Sequence, residues 1–172
     1  GEPTSSGSVR EIDIWPAFVD RVLSFVDIDA IAPLKVVVDA ANGMAGVMLP
    51  PVLERLPQVD TVRYYFEPDG SFPNHEPNPL LPENREFIVE RTTAQAADFG
   101  VAFDGDADRC FFVDDQGEFV PGDFVTALLA ESVLAKEPGA KIIYDVRASW
   151  AVPETIEKAG GVANAFNTIA VD

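Results

Sequence analysis

The sequence predicts an α/β fold, a layered α/β/α domain built on a mixed, mostly parallel sheet. Three observations lead there. Short apolar runs alternate with longer stretches of helical periodicity, as strands covered by helices require. The run Leu34-Lys35-Val36-Val37-Val38 is almost continuously apolar, which suits a parallel strand buried on both faces. Asp114-Asp115-Gln116-Gly117 joins two apolar segments as a hairpin turn, with Gly117 as its left-handed residue, and so adds an antiparallel edge.

Residues 1–10 have the composition of a linker or cloning remnant. From 11 to 26, Ile12, Trp15, Val19, Val22, Leu23 and Val26 recur at helical spacing, with Pro16 acceptable in a first turn. The valine strand at 34–39 follows. Asn42-Gly43 then turns the chain into a helix expected over 45–56. The turn is read as structural. A phosphate-binding reading would need a fuller glycine pattern. A second strand is expected over 61–66. The stretch 67–82 holds Pro68, Pro73, Pro77, Pro79 and Pro82 and forms no regular structure. His75, the single histidine, lies there and is read as a solvated or hydrogen-bonded loop residue. A helix over 83–97 carries acids in its first turn, where the helix dipole favours them. Strands follow at 99–104, 110–113 and 118–120. Asp123 is expected to cap a helix running to 135. A strand at 141–145 and a helix from 149 to 159, stopped by Gly160-Gly161, end the regular pattern. The organisation expected is a linker or cloning remnant (1–10), an α/β domain that carries the aspartate loop (11–140), and a linker with the truncated start of a second α/β domain (141–172).

Across 172 residues the chain carries 29 acids against 12 bases, a formal charge of −17, with 47% apolar residues. Such a surface argues against nucleic acid and anionic membranes as partners. No segment has 18 consecutive apolar residues, and the start lacks a basic-then-apolar leader, so a soluble cytoplasmic protein is expected. The single cysteine, Cys110, has apolar neighbours and reads as a buried small hydrophobe.

The chemistry concentrates in Phe103-Asp104-Gly105-Asp106-Ala107-Asp108-Arg109. Residues two apart in an extended strand are separated by about 6.6 Å, which would put Asp104 and Asp108 roughly 13 Å apart. One small cation with oxygens at about 2.0–2.6 Å reaches both only if the backbone curls. Gly105 and Ala107 permit that curl. Three clustered carboxylates repel one another, and a divalent cation removes the penalty. Asp104, Asp106 and Asp108 are therefore the candidate ligands of one divalent cation. An EF-hand would need Gly and Glu where Arg109 and Asp115 stand. An acidic surface turn without ligand does not require three alternating acids between two apolar strands.

The order D-G-D-A-D-R at 104–109 resembles the magnesium loop of the α-D-phosphohexomutases, the phosphomannomutases and phosphoglucomutases. Three further stretches resemble the same family, in its order: Val38 to Gly46 (VDAANGMAG), Pro68 to Pro79 (PDGSFPNHEPNP), and Tyr144-Asp145-Val146-Arg147. The resemblance runs from about Ser8 to about Gly161. It corresponds to the second of the family's four domains and the start of the third. It implies a mutase that interconverts hexose 1-phosphate and 6-phosphate through a hexose 1,6-bisphosphate and a phosphoserine enzyme. It implies metal ligation by Asp104, Asp106 and Asp108, and substrate or phosphate binding by Arg109 and Arg147.

The family's Ser-His nucleophile motif is absent from this chain, as are the sugar-recognition motif and the phosphate-binding cluster of its later domains. No catalytic nucleophile is therefore expected within these residues, and the missing domains of a parent chain become required partners. The acidity points the same way, because phosphate-binding cations must come from elsewhere. Two other readings stay open: a free-standing magnesium-binding or regulatory module, and a haloacid-dehalogenase-type phosphatase, whose aspartates a small pair such as Gly-Thr usually follows. Residues 162–172 do not match the family's third domain.

Overall fold

The computed structural model describes residues 7–166. The last part of the 162–172 segment, from 167 on, lies outside the described residues.

Five strands form the main sheet: β1 (Leu34–Asp39), β2 (Val59–Tyr64), β3 (Phe99–Phe103), β4 (Cys110–Asp114) and β5 (Phe119–Val120), in the order β2-β1-β3-β4-β5. β1 pairs in parallel with β2 and with β3, and β3-β4 and β4-β5 are antiparallel. The expected mixed sheet is present, with its parallel half on β2-β1-β3. Gly117 takes φ +86° in the β4-β5 hairpin.

The alternation of a strand sends neighbouring valines to opposite layers. Val37 packs with Ile88, Ala97, Ala102 and Val113, under α4 (Glu86–Ala94). Val36 and Val38 pack with Val101, Leu49, Phe66 and Phe103 on the other face. There the covering layer is α2 (Ala45–Met48) and α3 (Pro50–Leu53), with α1 (Trp15–Leu23) behind, where Val19 and Leu23 meet Val52. β1 is thus buried on both faces, as its valine run requires.

Two helices are shorter than the periodicity suggested. The first begins at Trp15, and Ile12 and Ile14 are exposed, because no neighbour covers them. The stretch 45–56 divides in two. Pro50 and Pro51 have no N–H, so the carbonyls of Gly46 and Val47 lose their usual i+4 donors, and regular bonding resumes from Leu53 to Leu49 at 2.9 Å.

The chain after Pro121 builds a second cluster. α5 (Gly122–Lys136) packs on α6 (Ala151–Lys158) through Ala127, Ala130 and Leu134 against Val152 and Ile156. β6 (Lys141–Asp145) and β7 (Val162–Phe166) pair in parallel as a separate two-stranded sheet. Sequence reading grouped α5 with 11–140, whereas its buried side faces the later elements. Asp123 sits in the first turn of α5 and does not cap it; the N-cap is Pro121, without a side-chain bond. Among the described residues, no helix is long and apolar enough to cross a membrane.

Candidate metal centre

Parallel pairing sets the carboxyl ends of β1, β2 and β3 side by side, with Asp39 opposite Tyr64 on one neighbour and Ala102 on the other. The aspartate loop leaves β3 at that edge. In open α/β sheets, ligands bind there.

The loop curls as the spacing argument demanded. Ala107 adopts φ +61°, and its N–H donates to the Asp104 carbonyl at 3.2 Å. Asp104, Asp106 and Asp108 each offer one carboxylate oxygen within 4.8 Å of the others. Oxygens on opposite sides of a magnesium ion stand about 4.2 Å apart, so three hard oxygen donors this close fit such an ion with little adjustment. The three differ in setting: Asp104 is 1% exposed, and Asp106 and Asp108 face solvent.

Arg109 holds the buried member. Its backbone N–H donates to Asp104 Oδ1 at 3.1 Å, and its Nε donates to Asp104 Oδ2 at 2.6 Å. Burial opposes ionisation of Asp104. The hydrogen bonds and charge of Arg109 outweigh it and hold the carboxyl below the usual aspartate range. Asp108 lies 3.5 Å from the same Nε. Arg109 thus orients one aspartate and touches a second, and about half of its side chain stays exposed. Cys110, expected in the core, is exposed at the loop's exit, where it opens β4.

The loop is braced from two sides. The Met44 N–H donates to the Gly105 carbonyl at 3.0 Å. Gly43 packs so close that a Cβ there would stand 2.5 Å from the same oxygen. Across the loop, Phe72 and Pro77 lie 3.4 Å from where a Gly105 Cβ would be. The Asn42-Gly43 turn is therefore structural, with Ala41 and Asn42 at φ 47° and 57°.

Residues 16–117 match the family model described as phosphoglucomutase/phosphomannomutase, alpha/beta/alpha domain II. The chain belongs to the phosphoglucomutase/phosphomannomutase family. It is 46% identical over 162 residues to a Xanthomonas campestris protein described as phosphohexose mutases, covering 94% of this chain and 36% of that one. A Salmonella montevideo phosphomannomutase is 42% identical over 159 residues, covering 90% and 35%. The crystal structure of a phosphoglucomutase/phosphomannomutase family protein from Burkholderia thailandensis superposes with TM-score 0.85 at 36% identity, covering 96% and 36%. The open form of parafusin from Paramecium shares the fold, with TM-score 0.69 at 19% identity, covering 89% and 29%. The chain spans about a third of the length of these mutase relatives.

Arg147, the other basic residue singled out, stands apart from the loop. It forms a two-pronged pair with Asp145, Nε to Oδ1 at 2.9 Å and Nη2 to Oδ2 at 2.7 Å. That pair lowers Asp145 to about 2. Arg147 lines a shallow recess with Asp123 and Ala148. None of its described partners is in the metal loop.

Sequence reading missed Asp39. It is fully buried at the end of β1, and its Oδ2 lies 2.8 Å from Nε2 of His75. An acid closing the valine run of β1 was the available signal, because a buried carboxylate needs a partner.

Proposed function

We propose that this chain is the metal-loop portion of a phosphosugar mutase that interconverts hexose 1-phosphate and 6-phosphate, of mannose, glucose or both, through a phosphoserine enzyme. One observation carries the reading: three carboxylates gathered within 4.8 Å at the carboxyl edge of a parallel sheet, the buried one held ionised by Arg109. Family membership supports it.

In this reading Asp104, Asp106 and Asp108 hold Mg2+, or Mn2+ in its place. Bound there, the ion would neutralise charge on a phosphoryl group during transfer. Asp104 is pre-set in its charged form and fixed in direction, so the exposed pair completes the site without reorganising the buried side. Arg109 commits Nε to Asp104 and keeps its outer nitrogens for a phosphate or sugar hydroxyl oxygen. Arg147 serves a second phosphate position. Its fork would exchange Asp145 for the substrate. The nucleophilic serine and most phosphate-binding cations lie on other domains of the parent chain, which explains how a chain of charge −17 serves a phosphorylated substrate. The packing of α5 on α6 supports a boundary between the two α/β units near Pro121. A cytoplasmic location belongs to the same proposal.

A coupled assay tests it, following glucose 6-phosphate formed from glucose 1-phosphate, with mannose 1-phosphate in parallel and hexose 1,6-bisphosphate as activator. The parent chain should turn over, and Asp106→Ala in the parent should lose most of the rate, since each 1.36 kcal/mol is about tenfold. The 172 residues alone should be inactive. Turnover by these residues alone, or full activity in the Asp106→Ala parent, contradicts the proposal.

A further inference from the structure

His75 makes two contacts that favour its charged form. Nδ1 lies 3.0 Å from the Glu76 carbonyl oxygen, which only accepts, so Nδ1 donates. Nε2 lies 2.8 Å from Asp39 Oδ2. A neutral ring with hydrogen on Nδ1 would turn a lone pair towards a carboxylate, whereas an imidazolium donates to both. The Asp39 hydrogen bond accordingly raises the pKa of His75 against the opposing effect of burial. The ring is held by Tyr65 and Phe87, with centroids 5.6 and 6.0 Å away.

The pair joins the end of β1 to the proline-rich loop, 36 residues on. Asp39 Oδ1 accepts the Ala41 N–H at 2.9 Å and so shapes the left-handed turn at 41–42, which delivers Gly43 and Met44 to one side of Gly105. His75 anchors the proline-rich loop, which delivers Phe72 and Pro77 to the other side. A second tie, from Asn74 Nδ2 to Asn42 Oδ1 at 2.6 Å, runs parallel to it. Gly105 lies between the first two metal-loop aspartates. Among the described residues, no hydrogen bond or ion pair joins Asp39 or His75 to those aspartates.

We propose that Asp39 and His75 are positioning residues for the metal loop, an ionic clasp that closes the 40–44 turn and the 72–77 loop on either side of Gly105. The inference rests on the reading of Asp104, Asp106 and Asp108 as metal ligands. The clasp is complete while His75 is charged and weakens as pH rises through its raised pKa. The groups facing the ring are Asp39 from β1, Tyr65 beyond β2, and Phe87 from α4, with Arg91 of α4 over the Phe87 ring at 5.2 Å. Burial, with Asp39, raises the pKa of Tyr65, so Tyr65 stays neutral over the range of interest. Divalent affinity should therefore fall with rising pH, opposite to the usual gain as ligands lose protons.

The test is Mn2+ binding by the 172-residue chain, read by electron paramagnetic resonance of free Mn2+ from about pH 6.5 to about pH 9. Cys110→Ser serves as background so that no thiol titrates beside the loop. Wild type should lose about tenfold in affinity across that range, the lower end of what outer-shell partners contribute to metal sites. His75→Gln and Asp39→Asn should show the weaker affinity throughout, with a flat profile, at temperatures where circular dichroism shows them folded. The profile of the background chain needs no substitution in the clasp and decides the matter if a variant does not fold. Asp106→Asn separates the two claims. If wild type binds no Mn2+, or Asp106→Asn binds equally, the metal reading fails and the clasp with it. If binding requires Asp106 yet is flat with pH in wild type, or unchanged in His75→Gln, the clasp alone is overturned.

Discussion

Replacing Val37 by aspartate should remove most or all of the chain's stability near neutral pH. Val37 is completely buried, paired with Val62 and Gly100 across β1's two parallel neighbours and packed on Ile88, Ala97, Ala102 and Val113. No cation belongs to that cluster. The lost burial of a valine is worth about 1.5–3 kcal/mol. An aspartate there would take up a proton to avoid an unpaired buried charge. Protonation near pH 7 costs about 1.36 kcal/mol for each unit above an ordinary value of about 3.9, or about 4 kcal/mol. The total, about 6–7 kcal/mol, rivals the 5–15 kcal/mol of a typical domain. The sign with pH is specific. A carboxyl whose folded pKa is raised makes the variant recover stability as pH falls. Its deficit against wild type should shrink by about 2.7 kcal/mol between about pH 7 and about pH 5. Val37→Asn should show a deficit that does not change with pH. Urea denaturation followed by circular dichroism at the two pH values gives both numbers. A Val37→Asp protein that melts like wild type, or whose deficit is the same at both pH values, would refute this placement of the core.

Gly43→Ala would set a methyl 2.5 Å from the Gly105 carbonyl oxygen, a backbone atom. Overpacking of that kind costs about 1–3 kcal/mol, so the denaturation midpoint should fall and divalent affinity should fall with it. Unchanged affinity would show that the turn does not set the loop. Arg109→Leu removes the Nε donor and the positive charge beside buried Asp104, although the backbone N–H remains. The Asp104 pKa should rise. The stability that its depressed value contributes, present above the ordinary aspartate range and lost as pH falls through the folded pKa, should shrink. Acid unfolding should then move to higher pH, and an unmoved acid limb would contradict the role given to Arg109.

β1 and β3 were readable because burial on both faces leaves a nearly unbroken apolar run, as at Val36-Val37-Val38. The hairpin was readable because Gly117 announced its own left-handed φ. The aspartate loop was readable because its spacing required a curl, and Ala107 supplies it. Helix ends were not. Ile12 keeps helical spacing with Trp15 but is exposed, and spacing alone does not show what covers a face. The break at Pro50-Pro51 was missed, although two absent N–H groups were a signal for it. The Asp39–His75 pair was not visible, because it spans 36 residues and forms only when the proline-rich loop folds back on β1. Nor did α5 show which neighbour it would choose. Phe124, Leu128, Leu129 and Val133 leave apolar side chains on its exposed side too, so no single face marked the contact.

The central claim is that Asp104, Asp106 and Asp108 form one divalent site. Titration calorimetry of Mg2+ into the chain, and into Asp104→Asn, Asp106→Asn and Asp108→Asn in turn, addresses it most directly. The account predicts one weak ion per chain in wild type and loss of that heat in each variant, with all four proteins folded by circular dichroism. Wild-type binding that survives intact in Asp106→Asn and Asp108→Asn would place the ion elsewhere and contradict the account.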